Sequence, residues 1–302
     1  MTEHARHDSL RADLALVLVT AIWGTTFVVN RLVLDSAPPL LFLAVRFGLG
    51  AAVLLVLSRG RPSSPGLLRD GVFDGILLAV SIGCQIAGQL FTSASKTAFI
   101  TGLSVPLVPV VGYLVSRRVP TAANALGLAL ATAGFAVFAW PRDARGVDPG
   151  DLLVLLTAVL FAVVIHHVAE SAPRHDATRY AAVQISFAAI GVLAGRLAVT
   201  PLLGRPETFF RAEARPLPAT WGFAVAVLWM SIVATVVTFV VQTWAQARMP
   251  ATHAAIIFAL EPVWTSLFAW AALGERLAPR ELWGAVLILA GIVASELPLS
   301  RR

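Results

Sequence analysis

Residues 252–273 read THAAIIFALEPVWTSLFAWAAL, and this stretch decides the fold class. At a rise of about 1.5 Å per residue, a helix of this length crosses the ~30 Å hydrocarbon layer of a bilayer. His253 and Glu261 are the only residues in the stretch that can carry a charge. A helix satisfies its own backbone hydrogen bonds in lipid, so the stretch predicts a transmembrane helix.

Similar apolar segments recur along the whole chain, which has 302 residues. Hydrophobic residues make up 58% of them and charged residues 13%, whereas soluble domains are about 45–50% apolar and about 25% charged. This composition excludes a soluble enzyme, a disordered protein and a disulfide-rich secreted domain. We predict an all-α integral membrane protein. Its ten predicted spans lie near 13–33, 40–57, 72–92, 97–116, 122–140, 151–169, 180–200, 221–245, 252–273 and 282–298.

The two halves of the chain resemble each other in the order of their short matches. The matching pairs are 13–18 with 151–156, Val105-Pro106 with Glu261-Pro262, and Gly127 and Gly134 with Gly284 and Gly291. Each half holds five spans, an odd number, so the second half must cross the membrane inverted. We therefore predict two inverted five-helix repeats, 1–145 and 146–302, the second with a loop insertion at 201–220. Inverted repeats are typical of transporters that work by alternating access, although a duplication without a transport role would leave the same pattern.

Charge and motifs narrow the function further. The net charge is +6, but the basic residues stand singly between apolar runs and Lys96 is the only lysine, so we expect no nucleic-acid partner. The distribution of Lys and Arg between the two faces favours cytoplasmic termini once the 201–220 loop is discounted. No zinc-protease motif or phosphate-binding loop occurs, so we expect no enzyme, no cofactor and no metal. An intramembrane enzyme or a passive channel remains a minor alternative.

Polar side chains recur at helical spacing inside the spans, where they are costly in contact with lipid. Such stripes predict a substrate cavity between the helices; cross-linking of packed helices by hydrogen bonds is the alternative. Arg46 could bind a substrate carboxylate or serve packing alone, and its repeat mate is Gln184. The predicted cavity residues are Trp23, Thr26, Asn30, Gln85, Gln89, Thr101, Ser104, Thr235, Thr238, Gln242, Glu261 and Trp264.

Three titratable residues and two prolines are candidates for coupling and gating. Glu261 lies near the middle of its span, where an ionised carboxylate costs ~2.5–3.5 kcal/mol or more. Glu261, His253 and His166 are our candidates for proton coupling or gating, with a structural hydrogen bond as the alternative for Glu261 and interfacial polarity for His166. Pro106 and Pro262 each remove a backbone donor from a helix, which predicts a hinge or a static kink.

An ordered set of motifs runs through nearly the whole chain. It comprises Trp23-Gly24-Thr25-Thr26-Phe27, Arg46, Pro106, Leu260-Glu261-Pro262-Val263, Leu273-Gly274-Glu275-Arg276-Leu277, Gly284 and Gly291. This set resembles the drug/metabolite transporter superfamily in its EamA-type ten-helix branch, with Arg118 as one departure where the family often has Glu. The resemblance implies a central cavity lined mainly by helices 1, 3, 4, 6, 8 and 9.

The same resemblance implies the partners and the transport direction. They would be a small-molecule substrate and the lipid bilayer, with the small metabolite carried outward across the bacterial inner membrane. Exporters of neutral and aromatic amino acids, of the YddG type, are the role we associate most with such proteins. Export of drugs or of other metabolites is the alternative.

Overall fold

A computed structural model of the chain describes residues 3–91, 94–117, 119–139, 149–203, 205–274 and 279–295. Arg118 and Glu275, which the family resemblance singled out, lie outside these ranges. Within them the chain is helical, without strands, and forms ten main helices in the predicted order, three of them divided into segments. Their bounds are α1 Glu3–Leu34, α2 Pro39–Leu57, α3 Leu67–Gln89, α4 Ala94–Gly102 with Ser104–Ser116, α5 Ala122–Ala139, α6 Pro149–Ser171, α7 Ala177–Val199, α8 Trp221–Leu228 with Trp229–Val237 and Thr238–Gln246, α9 Ala251–Phe258 with Glu261–Leu273, and α10 Pro279–Ser295.

Local sequence signals set several of the helix ends. Pro39 opens α2, where its missing N–H costs nothing. The side chain of Asp176 accepts a hydrogen bond from the backbone N–H of Arg179 at 2.9 Å and so caps α7. Gly274 ends α9 with a left-handed backbone, at φ 69°. The spans are therefore bounded by ordinary capping chemistry as well as by the lipid boundary.

The outer faces of the helices are apolar. On α1, Leu10, Leu14 and Leu18 follow one another every four residues and are 56%, 56% and 65% exposed. Eight of the described helical stretches are long and apolar enough to cross a membrane, while the apolar parts of α5 and α10 are shorter. Large exposed apolar side chains at helical spacing suit a lipid environment, and the chain is an integral membrane protein.

The packing of the helices follows a pseudo-two-fold pattern that exchanges the two halves. Two helices pack against their own repeat mates, α2 against α7 and α5 against α10. The other contacts come in exchanged pairs: α3 with α7 matches α8 with α2, α3 with α6 matches α8 with α1, and α4 with α6 matches α9 with α1. The first segment of α4 contacts the second segment of α9, and the second segment of α4 contacts the first segment of α9. The predicted fold class, ten helices in two inverted repeats, is confirmed.

Glycines hold α5 and α10 at backbone contact. A Cβ atom added to Gly134 would lie 2.7 Å from the carbonyl oxygen of Gly284, and one added to Gly127 would lie 2.6 Å from that of Gly291. No side chain fits at such distances, so only glycine permits this approach. The four glycines that match between the repeats therefore form the packing seam of α5 and α10.

The insertion between α7 and α8 differs from the irregular surface loop that the sequence predicted. It contains a short helix, Thr208–Glu213, whose last residue is fully buried. The Glu213 carboxylate accepts hydrogen bonds from the backbone N–H groups of Leu40 at 2.8 Å and Leu41 at 3.2 Å. It also lies 2.6 Å from Nε of Arg196. The insertion thus ties the start of α2 to the end of α7.

Candidate substrate pathway between the repeats

Polar side chains of α3 bond to α4 and α1 in the interior of the bundle. The side-chain amide of Gln85 donates to the hydroxyl of Thr101 at 3.0 Å. One turn along, the amide of Gln89 donates to the backbone carbonyl of Phe27 at 3.1 Å. All four residues are buried. Two of the predicted polar stripes therefore face each other across helix contacts, as both the cavity and the packing interpretations require.

A second polar contact joins α1, α8 and α2. The indole N–H of Trp23 donates to the hydroxyl of Thr238 at 3.1 Å. Nε of Arg46 donates to the hydroxyl of Thr235 at 3.0 Å, and Nη2 donates to the carbonyl of Ala234 at 3.2 Å. Arg46 is thereby committed to α8, which favours the structural alternative for this residue over binding of a substrate carboxylate.

The middle of α8 is wound as a π-helix over Trp229–Val237. There the hydroxyl of Thr235 donates to the carbonyl of Met230, five residues earlier, at 2.8 Å. π-Helical segments are rare and occur often at functional sites. The sequence shows polar residues on one face here, but no signal in it predicts the wider winding.

The two proline-bearing spans are interrupted at matching places. α4 breaks at Leu103, three residues before Pro106, and α9 breaks at Ala259 and Leu260, directly before the pair Glu261-Pro262. Glu261 opens the second segment of α9 and is partly exposed. Its carboxylate has no hydrogen-bond or ion-pair partner among the described residues, whereas its carbonyl accepts from Thr265 at 2.9 Å.

Several buried polar atoms near these contacts have no partner among the described residues. Buried polar groups are nearly always hydrogen-bonded to protein or water, so each such atom can accept a bond from, or donate one to, a bound molecule. Asn30 follows Phe27, whose carbonyl accepts from Gln89, by three residues on α1. The atoms on the inner helices are Asn30 Oδ1, Gln89 Oε1, Ser231 Oγ and Trp264 Nε1.

The remaining predicted cavity residues bond elsewhere. The hydroxyl of Thr26 donates within α1 to the carbonyl of Trp23 at 2.7 Å. The amide of Gln242 donates to Gln246 at 2.8 Å, and Gln246 donates to the carbonyl of Ile165 on α6 at 3.0 Å. Ser104 is buried at the start of the second segment of α4. These residues belong to helix contacts of their own.

The two histidines proposed for coupling or gating are buried between helices. His253 bonds through Nε2 to Asp13 at 2.9 Å and through Nδ1 to Ser295 at 3.0 Å, so it joins α9 to α1 and α10. His166 bonds through Nε2 to Ser116 of α4 at 3.0 Å. His166 is only 5% exposed, so it packs between α6 and α4 and does not face water or lipid directly.

A buried polar cluster between α3, α6 and α7 was not predicted from the sequence. Asp74 is fully buried. It accepts a hydrogen bond from the hydroxyl of Tyr180 and lies 3.0 Å from Nδ1 of His167. The hydroxyl of Ser171 completes the cluster, 2.9 Å from that of Tyr180. The available signal was an acidic residue one turn inside an apolar span, beside the small residues Gly71 and Gly75.

Comparisons with known proteins agree with this architecture. The model of the EamA-like transporter family matches residues 10–140 and again 148–296. An uncharacterized transporter of Archaeoglobus fulgidus is 31% identical over 288 residues, with 95% of this chain and 86% of the relative covered. The uncharacterized transporter YoaV of Bacillus subtilis is 23% identical, with 97% and 99% covered.

Two further comparisons concern location and fold. YedA of Escherichia coli, named an uncharacterized inner membrane transporter, is 29% identical over 153 residues, about half of each chain. A solved crystal structure superposes with a TM-score of 0.74 at 18% identity and covers 97% of this chain and 99% of its own. At that identity the likeness concerns the fold alone.

Proposed function

The chain belongs to the EamA-like transporter family, and on that premise we propose that it exports small metabolites, neutral and aromatic amino acids foremost. The substrate would pass between the two repeats by alternating access. Membership in the family makes the chain a membrane transporter; the substrate class and the direction are our inference. We place the repeats at 1–145 and 146–302, and both termini in the cytoplasm.

One observation carries the proposal: the inner helices of both repeats hold buried polar atoms that lack partners within the part of the chain that the structure describes. Asn30 and Gln89 lie on α1 and α3 of the first repeat, and Ser231 and Trp264 on α8 and α9 of the second. An unpartnered buried polar atom costs about 1–3 kcal/mol, which a substrate would recover by binding there. Helix contacts alone account for paired side chains but leave these atoms unexplained.

The polar groups favour a zwitterionic or amide-like substrate of modest size. The Glu261 carboxylate, without a cation beside it among the described residues, suits a substrate amine or a transported proton. The interrupted helices α4 and α9 supply segment ends, which coordinate charged substrate groups in other inverted-repeat transporters. The rings of Trp23 and Trp264 suit an apolar or aromatic side chain.

Counterflow into proteoliposomes tests the transport proposal directly. The full chain is reconstituted into vesicles that are preloaded with unlabelled leucine or phenylalanine. We expect these vesicles to take up the radiolabelled amino acid faster than vesicles that contain no amino acid. A carrier shows this trans-stimulation because internal substrate binds the carrier and speeds the return of its binding site to the outer face. A channel has no such step and shows no trans-stimulation. Absence of trans-stimulation with every neutral amino acid would reject the amino-acid class.

Proton coupling through Glu261 has a separate test. Glu261→Gln keeps the size of the side chain and removes its proton exchange. We expect this variant to retain counterflow and to lose acceleration by an imposed pH gradient, because counterflow needs no net proton movement. His166→Gln is measured in the same assay for comparison, because His166 is another candidate for proton coupling or gating. A Glu261→Gln variant that still responds fully to the gradient would reject the coupling role.

A further inference from the structure

A separate cavity opens on the face that carries the α2–α3 loop. It has a volume of about 450 Å³ and lies between the start of α3 and the start of α7. Its polar lining consists of Ser63, Ser64, Arg69 and Arg179, and its apolar lining includes Leu68 and Val183. The cavity thus joins the two repeats at one membrane face, and none of these residues belongs to the proposed pathway.

The surroundings of the cavity are strongly basic. Two segments meet at the cavity: 58–70, which forms the α2–α3 loop and the start of α3, and 171–179, which leads into α7. Together they carry five arginines and two aspartates. One of these aspartates, Asp70, is shared by Nε of Arg69 at 3.0 Å, Nη2 of Arg174 at 2.9 Å and Nε2 of His175 at 3.0 Å. A single carboxylate cannot neutralise all of these partners, so the cavity keeps a positive surplus.

The guanidinium groups at the cavity are only partly used by the protein. Arg69 is bonded through Nε, and its two terminal amino groups bond to none of the residues that the structure describes, so they can bind a ligand. Arg179 donates from Nη1 to the carbonyl of Arg61, and its other donors have no partner among the described residues. Paired amino groups on planar guanidiniums match the oxygen geometry of a phosphate, and serine hydroxyls can donate to the same group.

An apolar strip continues from the cavity along α3. Arg69 is followed on the same helix face by Phe73, Ile76 and Val80, which are 42%, 50% and 46% exposed. A ligand whose phosphate sits at Arg69 and Arg179 would place attached acyl chains on this strip. Basic pockets between transmembrane helices at a membrane face are typical binding sites of acidic lipid headgroups.

We propose that this cavity binds the phosphate headgroup of an anionic phospholipid, with the acyl chains along the exposed face of α3. The bound lipid bridges Arg69 of the first repeat and Arg179 of the second, and so stabilises their arrangement. This site is independent of the substrate pathway, and its test does not depend on transport.

The test is lipid binding by the purified full chain in a neutral detergent, followed by native mass spectrometry. The probes are dioctanoyl phosphatidylglycerol, dioctanoyl phosphatidylcholine and inorganic phosphate. We expect retained phosphatidylglycerol adducts, weaker retention of phosphatidylcholine and no displacement by equimolar inorganic phosphate. The double variant Arg69→Gln/Arg179→Gln is expected to weaken phosphatidylglycerol binding about tenfold or more.

Two further variants separate this site from diffuse charge. The double variant Arg59→Gln/Arg248→Gln makes the same change of two charges at exposed positions outside the cavity lining, and we expect it to weaken binding less than about threefold. Leu68→Trp fills the cavity mouth at an exposed position without changing charge, and we expect it to weaken binding as Arg69→Gln/Arg179→Gln does. It also keeps the test decisive if that double variant does not fold.

Three results would overturn the proposal. Equal retention of the zwitterionic lipid would remove the role of charge. Displacement by equimolar inorganic phosphate would make the ligand a soluble phosphate rather than a lipid. Unchanged phosphatidylglycerol binding in Leu68→Trp, or in a folded Arg69→Gln/Arg179→Gln variant, would place the lipid elsewhere on the protein.

Discussion

Replacing Glu213 with alanine tests whether the insertion between the repeats is a structural clamp. The carboxylate accepts two backbone N–H groups at the start of α2, at 2.8 and 3.2 Å, and pairs with Arg196 at 2.6 Å. Loss of an acceptor at a helix start costs about 0.5–2 kcal/mol, and breaking a buried ion pair costs about 3–5 kcal/mol. Because the side chain of Arg196 is 16% exposed and can reach water, we expect a total of about 3–4 kcal/mol.

This loss is measurable as a shift in thermal unfolding of the purified protein in detergent. At about 2–4 °C per kcal/mol, the Tm should fall by roughly 6–16 °C. The control is Glu207→Ala in the same insertion, an exposed residue whose side chain makes no capping bond, and it should leave the Tm nearly unchanged. Equal shifts in the two variants would refute the clamp.

The isosteric change Glu213→Gln adds a dependence on pH with a definite sign. Burial raises the pKa of the Glu213 carboxyl, although the Leu40 N–H and Arg196 oppose the effect. A carboxyl with a raised pKa in the folded state loses stabilisation as the pH rises from the pKa of a free glutamate to its own. As the pH rises across this window, the Tm of the Gln variant should therefore increase relative to that of the wild type. Above the window, the difference between the two Tm values should stay constant. A difference in Tm that stays constant with pH would contradict the desolvation argument.

Three further substitutions probe single contacts by detergent Tm. Gly134→Ala forces apart the glycine seam of α5 and α10 and should cost about 1–3 kcal/mol, whereas Gly48→Ala, with open space at its Cβ, should be neutral. Tyr180→Phe removes the donor to the buried aspartate of α3 and should cost about 1–3 kcal/mol, against no loss for the exposed Tyr113→Phe. Thr235→Val removes the acceptor of a buried arginine and should destabilise, and replacement of the same residue by serine should restore the Tm.

The spans and the repeat were predictable because both depend on patterns that the sequence displays. Apolar runs of about 20 residues predict helices in lipid whatever their neighbours are. The prediction was less accurate at α1, which begins at Glu3 rather than near residue 13, since its first turns are too polar to register as apolar. A helix that extends beyond the hydrocarbon layer keeps its hydrogen bonds without an apolar sequence.

The partners of the polar side chains could not be predicted, because they lie far apart in the sequence. The bond from Trp23 to Thr238 spans 215 residues, and that from Tyr180 to Asp74 spans 106. Periodicity identifies the face of a helix but not what that face meets. The buried state of Asp74 therefore became clear only when α3, α6 and α7 were seen together, and the π-helical winding of α8 had no sequence signal at all.

The contacts between the repeats also restrict how a transport cycle can move this fold. At one face Arg61 pairs with Asp176 at 3.1 Å, and at the other Glu213 ties the start of α2 to Arg196. Helices held together at both faces, with Gly75 of α3 against the backbone of α7 between them, are expected to move as one body. Rearrangement is then left to the spans whose backbone ladders are interrupted, α4 and α9, and to the π-helical part of α8.

Cross-linking distinguishes the rigid body from the moving part. Cys84 is the only cysteine, so Cys84→Ser gives a clean background in which Arg61→Cys and Asp176→Cys can be joined by a bifunctional maleimide. Because these positions belong to one body, the joined protein should keep its counterflow rate within about twofold of the unjoined one, a change of about 0.4 kcal/mol in barrier height. Abolished counterflow in the joined protein would show that α2 and α3 separate from α7 during the cycle. The ion pairs between these helices would then have to break in each cycle.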